Sequence, residues 1–171
     1  MAHWRAAVPD PHAGRPHMPG YGVRATDDGL LPWSWAVERL DASRGFWLAT
    51  TWPDGRPHVM PVWCVWDAGA LWFSTGMRSR KARNLLADPR CVLTTEDTSS
   101  PVVVEGVAEF VREPPAIARF VELAKAKYAV DYGADFHDPD VNATVRVAPL
   151  RAFGLADEDL VGSATRWSFD A

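Results

Sequence analysis

Residues 46–75, FWLATTWPDGRPHVMPVWCVWDAGALWFST, decide the fold class of this chain. FWLATTW (46–52) is rich in aromatic and β-branched residues, which suit a pleated, half-buried surface, and the PDG that follows (53–55) is a turn signal of the hairpin kind. RPHVMPVWCVW (56–66) runs back, DAG (67–69) turns again, and ALWFST (70–75) makes a third strand, so the stretch is an antiparallel meander. Pro57 and Pro61 cannot donate to a strand ladder; two of them in one strand imply an edge, a bulge or an interruption near 59–62. Backbone groups of Met60, Val62 and Trp63 are then free to face a ligand, such as the polar edge of a flat heterocycle. The alternative is a proline-tolerant edge strand lying against solvent.

Working outward toward the C-terminus, a helix through Leu85 and Leu86 ends near Asp88-Pro89, because the residue before proline disfavours helical geometry. Cys91 to Thr95 reads as a fourth strand. PVVVEGVAEFVR (101–112) is a fifth, with Val102, Val104, Gly106, Ala108 and Phe110 on one face and Glu105 and Glu109 on the other. In PPAIARFVELAKAKYAV (114–130), prolines occupy the first turn and Ile117, Phe120, Val121, Ala124 and Tyr128 form one helical stripe. Residues 131–142 read as a loop and 145–155 as a last strand. Toward the N-terminus, Trp33, Val37 and Leu40 share a helical face that stops at Gly45. Residues 1–27 hold Pro9, Pro11, Pro16 and Pro19 with Gly14, Gly20 and Gly22, a density that reads as an extended arm. Five or six short antiparallel strands with few helices imply a closed or split β-barrel, since closure removes exposed edges.

A chain of 171 residues, 47% hydrophobic and 23% charged, has the size and composition of one globular domain. We therefore expect an arm over residues 1–30 and a single domain over 31–171. The formal net charge of −4 repels a phosphate backbone, which argues against nucleic acid as a partner. No stretch approaches a membrane span or a signal-peptide apolar region, so a cytoplasmic protein with no membrane partner is expected. Cys64 and Cys91, the two cysteines, fall in strand-like runs and read as buried, reduced thiols.

STGMRSRKARNL (74–85) carries Arg78, Arg80, Lys81 and Arg83 around the start of a helix. That end already bears partial positive charge, and each added cation there costs a few tenths of a kcal/mol or so. Ser79 suits the N-cap position, which places Arg80 and Lys81 in the first turn. Free N–H groups, the dipole and the side-chain cations converge, and the arrangement becomes favourable when an anion such as phosphate sits there. The competing reading is a solvated, salt-bridged face; against it, Asp88 is the only acid within ten residues downstream.

Together, PDGRPHVMPVW (53–63), ALWFSTGMRSRKARNLLADPRC (70–91) and VVVEGVAEFV (102–111) resemble the pyridoxamine 5′-phosphate oxidase-like, flavin- or deazaflavin-binding split β-barrel family, over roughly residues 46–155. The resemblance implies a mainly β (α+β) fold, an antiparallel six-stranded split β-barrel of the FMN-binding type with flanking helices. It also implies an oxidoreductase that passes a hydride between FMN, or the deazaflavin F420, and a small organic substrate, as a homodimer with cofactor sites at the interface. Ser79, Arg80 and Lys81 then hold the cofactor phosphate, Ser74 and Thr75 the phosphate or the polar edge of the ring, and Met60, Pro61, Val62 and Trp63 the ring itself. F420 bears a phosphodiester and a polyglutamate tail, and the surplus charge of Arg78, Arg83 and Arg90 favours it over FMN. The tail ATRWSFDA (164–171) departs from the Arg-Leu-x-Pro ending of true pyridoxamine phosphate oxidases, which argues against that substrate. It resembles the tails of flavin/deazaflavin reductases, implying Trp167 as a flat wall and Arg166 as an anion partner. No catalytic acid or base is assigned. His58 reads as structural or partly exposed, and His137, among Asp131, Asp135, Asp138 and Asp140, as part of a solvated acidic loop rather than a metal site. The rival readings are a protein of the same fold that stores flavin, deazaflavin or haem without turnover, and a cofactor-free interaction module.

Overall fold

A computed structural model of the chain describes residues 10–170, so the first part of the expected arm lies outside the described residues. In chain order the elements are β1 (His12–Gly14), α1 (Trp33–Ala42), β2 (Phe46–Thr51), β3 (Pro57–Val62), β4 (Cys64–Asp67), β5 (Ala70–Gly76), α2 (Arg80–Ala87), β6 (Arg90–Thr95), β7 (Val102–Val111), α3 (Pro114–Tyr128), β8 (Asn142–Gly154), α4 (Leu160–Ser163) and β9 (Thr165–Ser168). No helix among the described residues is long and apolar enough to cross a membrane.

The meander forms as its turns dictate: β2 pairs antiparallel with β3 across the PDG turn, and β4 with β5 across DAG. The proline-bearing strand is interrupted at Trp63, and the interruption lets one run of chain change partners. Its first half, β3, pairs with β2, and its second half, β4, pairs with β5. The remaining order is β2-β6-β7-β8, with β5 against the first half of β8. Counting β3 and β4 as one kinked strand, the ring β3/β4, β2, β6, β7, β8, β5 is a six-stranded split barrel.

Two elements extend the expected count. β8 is not the last strand: β9 pairs with its second half, and β1, from the proline-rich arm, pairs with β9. These short strands carry too few residues for alternation to be legible. Arg15 ties the arm down further, donating to the carbonyls of Gly162 (2.8 Å) and Ala164 (2.9 Å) as well as those of Thr26 and Asp28.

Alternation along β7 buries Val102, Val104 and Ala108 in the barrel with Phe46, Leu48, Phe73, Leu93 and Val145. Gly106 sits where β7 and β8 shift register, and a Cβ there would meet the Ala148 carbonyl oxygen at 2.5 Å. A second apolar layer lies outside the barrel, where the full α3 stripe of Ile117, Phe120, Val121, Ala124 and Tyr128 packs on Val65, Ala70 and Trp72. Each of Ile117, Phe120 and Val121 is worth roughly 1.5–3 kcal/mol when buried. α1 closes one end through Ala36 and Leu40 rather than Val37, with Trp33 edge-on to Trp66 and Trp167.

Candidate functional site

Strand β5 ends at Gly76 and α2 starts at Arg80, so a three-residue turn delivers the basic segment to the mouth of the barrel. Ser79 caps α2: its hydroxyl accepts from the Ala82 N–H at 3.2 Å. The hydroxyl of Thr75, a buried residue, lies 3.0 Å from that of Ser79, so Thr75 braces the cap. No acid occupies the first turn of α2, and among the described residues none of Arg78, Arg80, Lys81 and Arg83 forms a salt bridge. Arg78 and Arg83 are exposed, the Arg83 guanidinium donating to the Arg78 carbonyl at 2.9 Å. Arg80 and Lys81 are half-buried. The salt-bridged face considered as an alternative is therefore not what this segment forms.

Arg90 is a correction to the expected surplus of charge. It sits in a bidentate pair with Asp88, at 2.9 Å and 2.6 Å, and holds that carboxyl down at about 2. Its charge is already neutralised, and the pair lines a separate hollow with Glu105.

A cleft of about 520 Å³ lies beside the basic segment, lined by Pro61, Val62 and Trp63, by Ser74 and Lys81, and by Phe120, Tyr132 and Phe136. That volume suits a small-molecule or cofactor site. The β3/β4 interruption contributes Pro61 to Trp63, Lys81 brings a cation to the lining, and Asp131, which pairs with Lys125 at 3.3 Å, brings a carboxylate. Aromatic rings complete the lining: Tyr132 and Phe136 stand 4.4 Å apart, and Trp63 lies parallel to Tyr128 at 4.7 Å. The Tyr128 hydroxyl bonds both the N–H and the C=O of Cys64 at 2.8 Å, fixing the backbone where the strand changes partners. Burial pushes this phenol well above its ordinary pKa, which keeps it a neutral clamp.

α2 is held to the barrel by Asn84, fully buried, whose side-chain amide donates to Thr50 Oγ1 at 3.0 Å. Thr50 Oγ1 in turn lies 3.3 Å from His58 Nδ1. In register, His58, Met60 and Val62 pair with Thr50, Leu48 and Phe46, so these alternate residues share the strand face that turns Phe46, Leu48 and Val62 into the barrel core. Met60 stands 41% exposed at the mouth, outside the cleft lining.

The structure thus gathers Pro61, Val62, Trp63, Ser74 and Lys81 around one cleft, with Ser79 and Arg80 on the adjoining helix start. It does not bring Trp167 there. That ring is fully buried, packed between Trp33 at 5.3 Å and Trp35 at 6.4 Å, and has no surface to offer as a wall. Arg166, its neighbour in β9, is exposed and pairs in register with Phe153 and Gly14. Tyr132 and Phe136 escaped sequence reading because their segment looks like an acidic loop; the aromatic pair four residues apart was the available signal.

The profile of the family described as Pyridoxamine 5′-phosphate oxidase matches residues 36–155. Among solved structures, a conserved hypothetical protein from Mycobacterium tuberculosis is similar at 31% identity and a TM-score of 0.67, over 81% of this chain and 91% of its own. An F420 reductase is similar at 26% identity and a TM-score of 0.57, over 67% of this chain and 93% of its own. General Stress Protein 26 from Bacillus anthracis, at 14% identity and a TM-score of 0.55 over 68% and 88% of the two chains, shares the fold. None of the curated proteins matches the chain. With the six-membered ring of strands, the capped basic helix start and the matched residues in agreement, the chain belongs to the pyridoxamine 5′-phosphate oxidase-like family of FMN- or F420-binding split barrels.

Proposed function

We propose that the protein is an oxidoreductase that binds F420 or FMN and exchanges a hydride with a small organic substrate, working as a homodimer. The observation that carries this reading is the set of cations at the start of α2: none is neutralised within the described residues, and Lys81 lines a cleft of the right size. An anionic group resting there would accept from the free N–H groups of α2 and pair with Arg80 and Lys81. Ser79 keeps the helix start in shape, Ser74 offers a hydroxyl inside the cleft, and the backbone from Pro61 to Trp63 borders a flat ring. The bound cofactor supplies hydride chemistry; the protein supplies position, electrostatics and, through Tyr132 and Phe136, shelter from water.

Arg78 and Arg83, exposed and without ion pairs among the described residues, extend positive charge beyond one phosphate and favour F420, with its longer anionic tail, over FMN. The homodimer is supported by an apolar face that a monomer leaves wet. Trp47 (47% exposed) and Val59 (52%) stand on β2 and β3, with Pro61 paired directly to Trp47.

Fluorescence titration with FMN and with F420, followed by rapid mixing of the reduced complex with candidate acceptors, tests the proposal. Saturable binding and acceptor-dependent reoxidation are expected. Binding with no transfer to any acceptor would make the protein a carrier, and no binding of either cofactor would end the reading.

A further inference from the structure

Arg80 does not hang free in front of its helix. Its guanidinium carbon lies 3.8 Å from the centre of the Trp52 indole, and no carboxylate among the described residues competes for it. Trp52 follows β2 directly, and its backbone is locked into the hairpin turn. Its N–H donates to the Arg56 carbonyl at 2.8 Å, and its own carbonyl accepts from Gly55 at 2.9 Å. Gly55 has φ +85°, a conformation that lets the turn close this tightly. A second guanidinium, that of Arg56, lies 4.5 Å from the same ring, but Asp54 pairs with it at 2.9 Å. One indole therefore carries two arginines, of which one is neutralised and the other is not.

A guanidinium resting on an aromatic face spends its flat side on the ring and keeps its N–H edge for an oxygen-bearing partner. A long side chain pinned in this way also loses less freedom when it captures an anion. From this geometry we propose that Trp52 is the positioning residue of the anion site: its ring holds Arg80 with the N–H edge turned to the ligand phosphate. Asp54 keeps Arg56 occupied, so the phosphate is directed to Arg80. Trp52 is not among the residues lining the cleft, so on this proposal it acts on binding through the arginine it holds. The inference rests on the cofactor reading above, with the phosphate as the group recognised.

The test pairs each cofactor with its phosphate-free counterpart: FMN with riboflavin, and F420 with its bare deazaflavin chromophore. Trp52→Leu keeps apolar bulk but removes the aromatic face, and it should weaken binding of the phosphate-bearing ligand about tenfold while changing the phosphate-free one less than twofold. Trp52→Phe should restore most of the loss. In an Arg80→Ala background, Trp52→Leu should cost nothing further. The proposal is overturned if Trp52→Leu weakens both ligands of a pair alike, if Trp52→Phe is no better than Trp52→Leu, or if the loss persists without Arg80. If the unaltered protein binds neither phosphate-bearing ligand, the cofactor reading itself falls and takes the role of Trp52 with it.

Discussion

The Tyr128 hydroxyl spans the backbone of Cys64, accepting from its N–H and donating to its C=O, both at 2.8 Å. A helix side chain thus satisfies the polar groups of the strand at the point where β3 has left for β2 and β4 begins its pairing with β5. Tyr128→Phe would keep the stack on Trp63 and orphan two buried backbone groups. We expect a loss of about 2–3 kcal/mol in unfolding free energy, read from urea midpoints at unchanged slope. A change below about 0.5 kcal/mol would mean that the strand interruption is held by packing alone.

Alkaline pH should lower the stability of the fold. Burial, and then the Asp88 carboxylate, pushes the Cys91 thiol up to about 12 from an ordinary 9.0, and burial raises Cys64 and Tyr128 in the same direction. These groups stay protonated in the native state while the unfolded chain releases protons, so the unfolded state binds fewer of them and stability falls as pH rises. The effect is absent below about pH 8, sets in near pH 9 and grows up to about pH 12. Urea midpoints at a series of alkaline pH values check this, and Ellman's reagent should leave both thiols unmodified at pH 8 until denaturant is added. A stability flat across that range, or rapid native labelling, would contradict the burial argument.

Trp167 belongs to stability and not to the cofactor. Trp167→Ala removes a fully buried ring and should cost about 3–5 kcal/mol. Trp167→Phe should cost less, because it also removes an indole N–H that has no partner among the described residues. Neither change should alter cofactor affinity in the folded protein by more than about twofold. A tenfold loss of affinity in Trp167→Phe would return this residue to the site.

The wet face of β2 and β3 predicts the assembly. Val59→Glu places a charge on an exposed apolar strand and should convert a dimer into a folded monomer in sedimentation velocity, with cofactor affinity falling in parallel if the site is shared. An unaltered protein that sediments as a monomer at micromolar concentration would contradict the homodimer.

The meander was legible because PDG and DAG are turn signals, and the α3 stripe because its apolar period is unbroken; every residue of that stripe is buried. Ser79 was legible as a cap from its hydroxyl alone. Other features depend on contacts between distant segments. The strand at 56–66 shows two prolines but not that it will serve two neighbours, since that depends on where β5 lies. β1 and β9 are visible only in their pairing with each other and with β8. Trp167 and Trp63 look alike in sequence, yet one is sealed between helix and sheet and the other stands 53% exposed over the cleft. The charge on Arg90 could be counted from sequence, but its capture by Asp88 two residues away is a matter of loop geometry.

The most direct test is the affinity of Arg80→Ala and Lys81→Ala, singly and together, for FMN and F420. Each single change should weaken the cofactor that binds by roughly 10- to 100-fold, the loss of a charge-assisted contact worth about 1.5–3 kcal/mol, with the thermal stability of Lys81→Ala unchanged or raised and that of Arg80→Ala offset by the lost stack on Trp52. Removing a cation from the start of α2 relieves repulsion when no ligand is present. Undiminished affinity in the double variant would contradict the claim that these cations gather to hold an anionic guest.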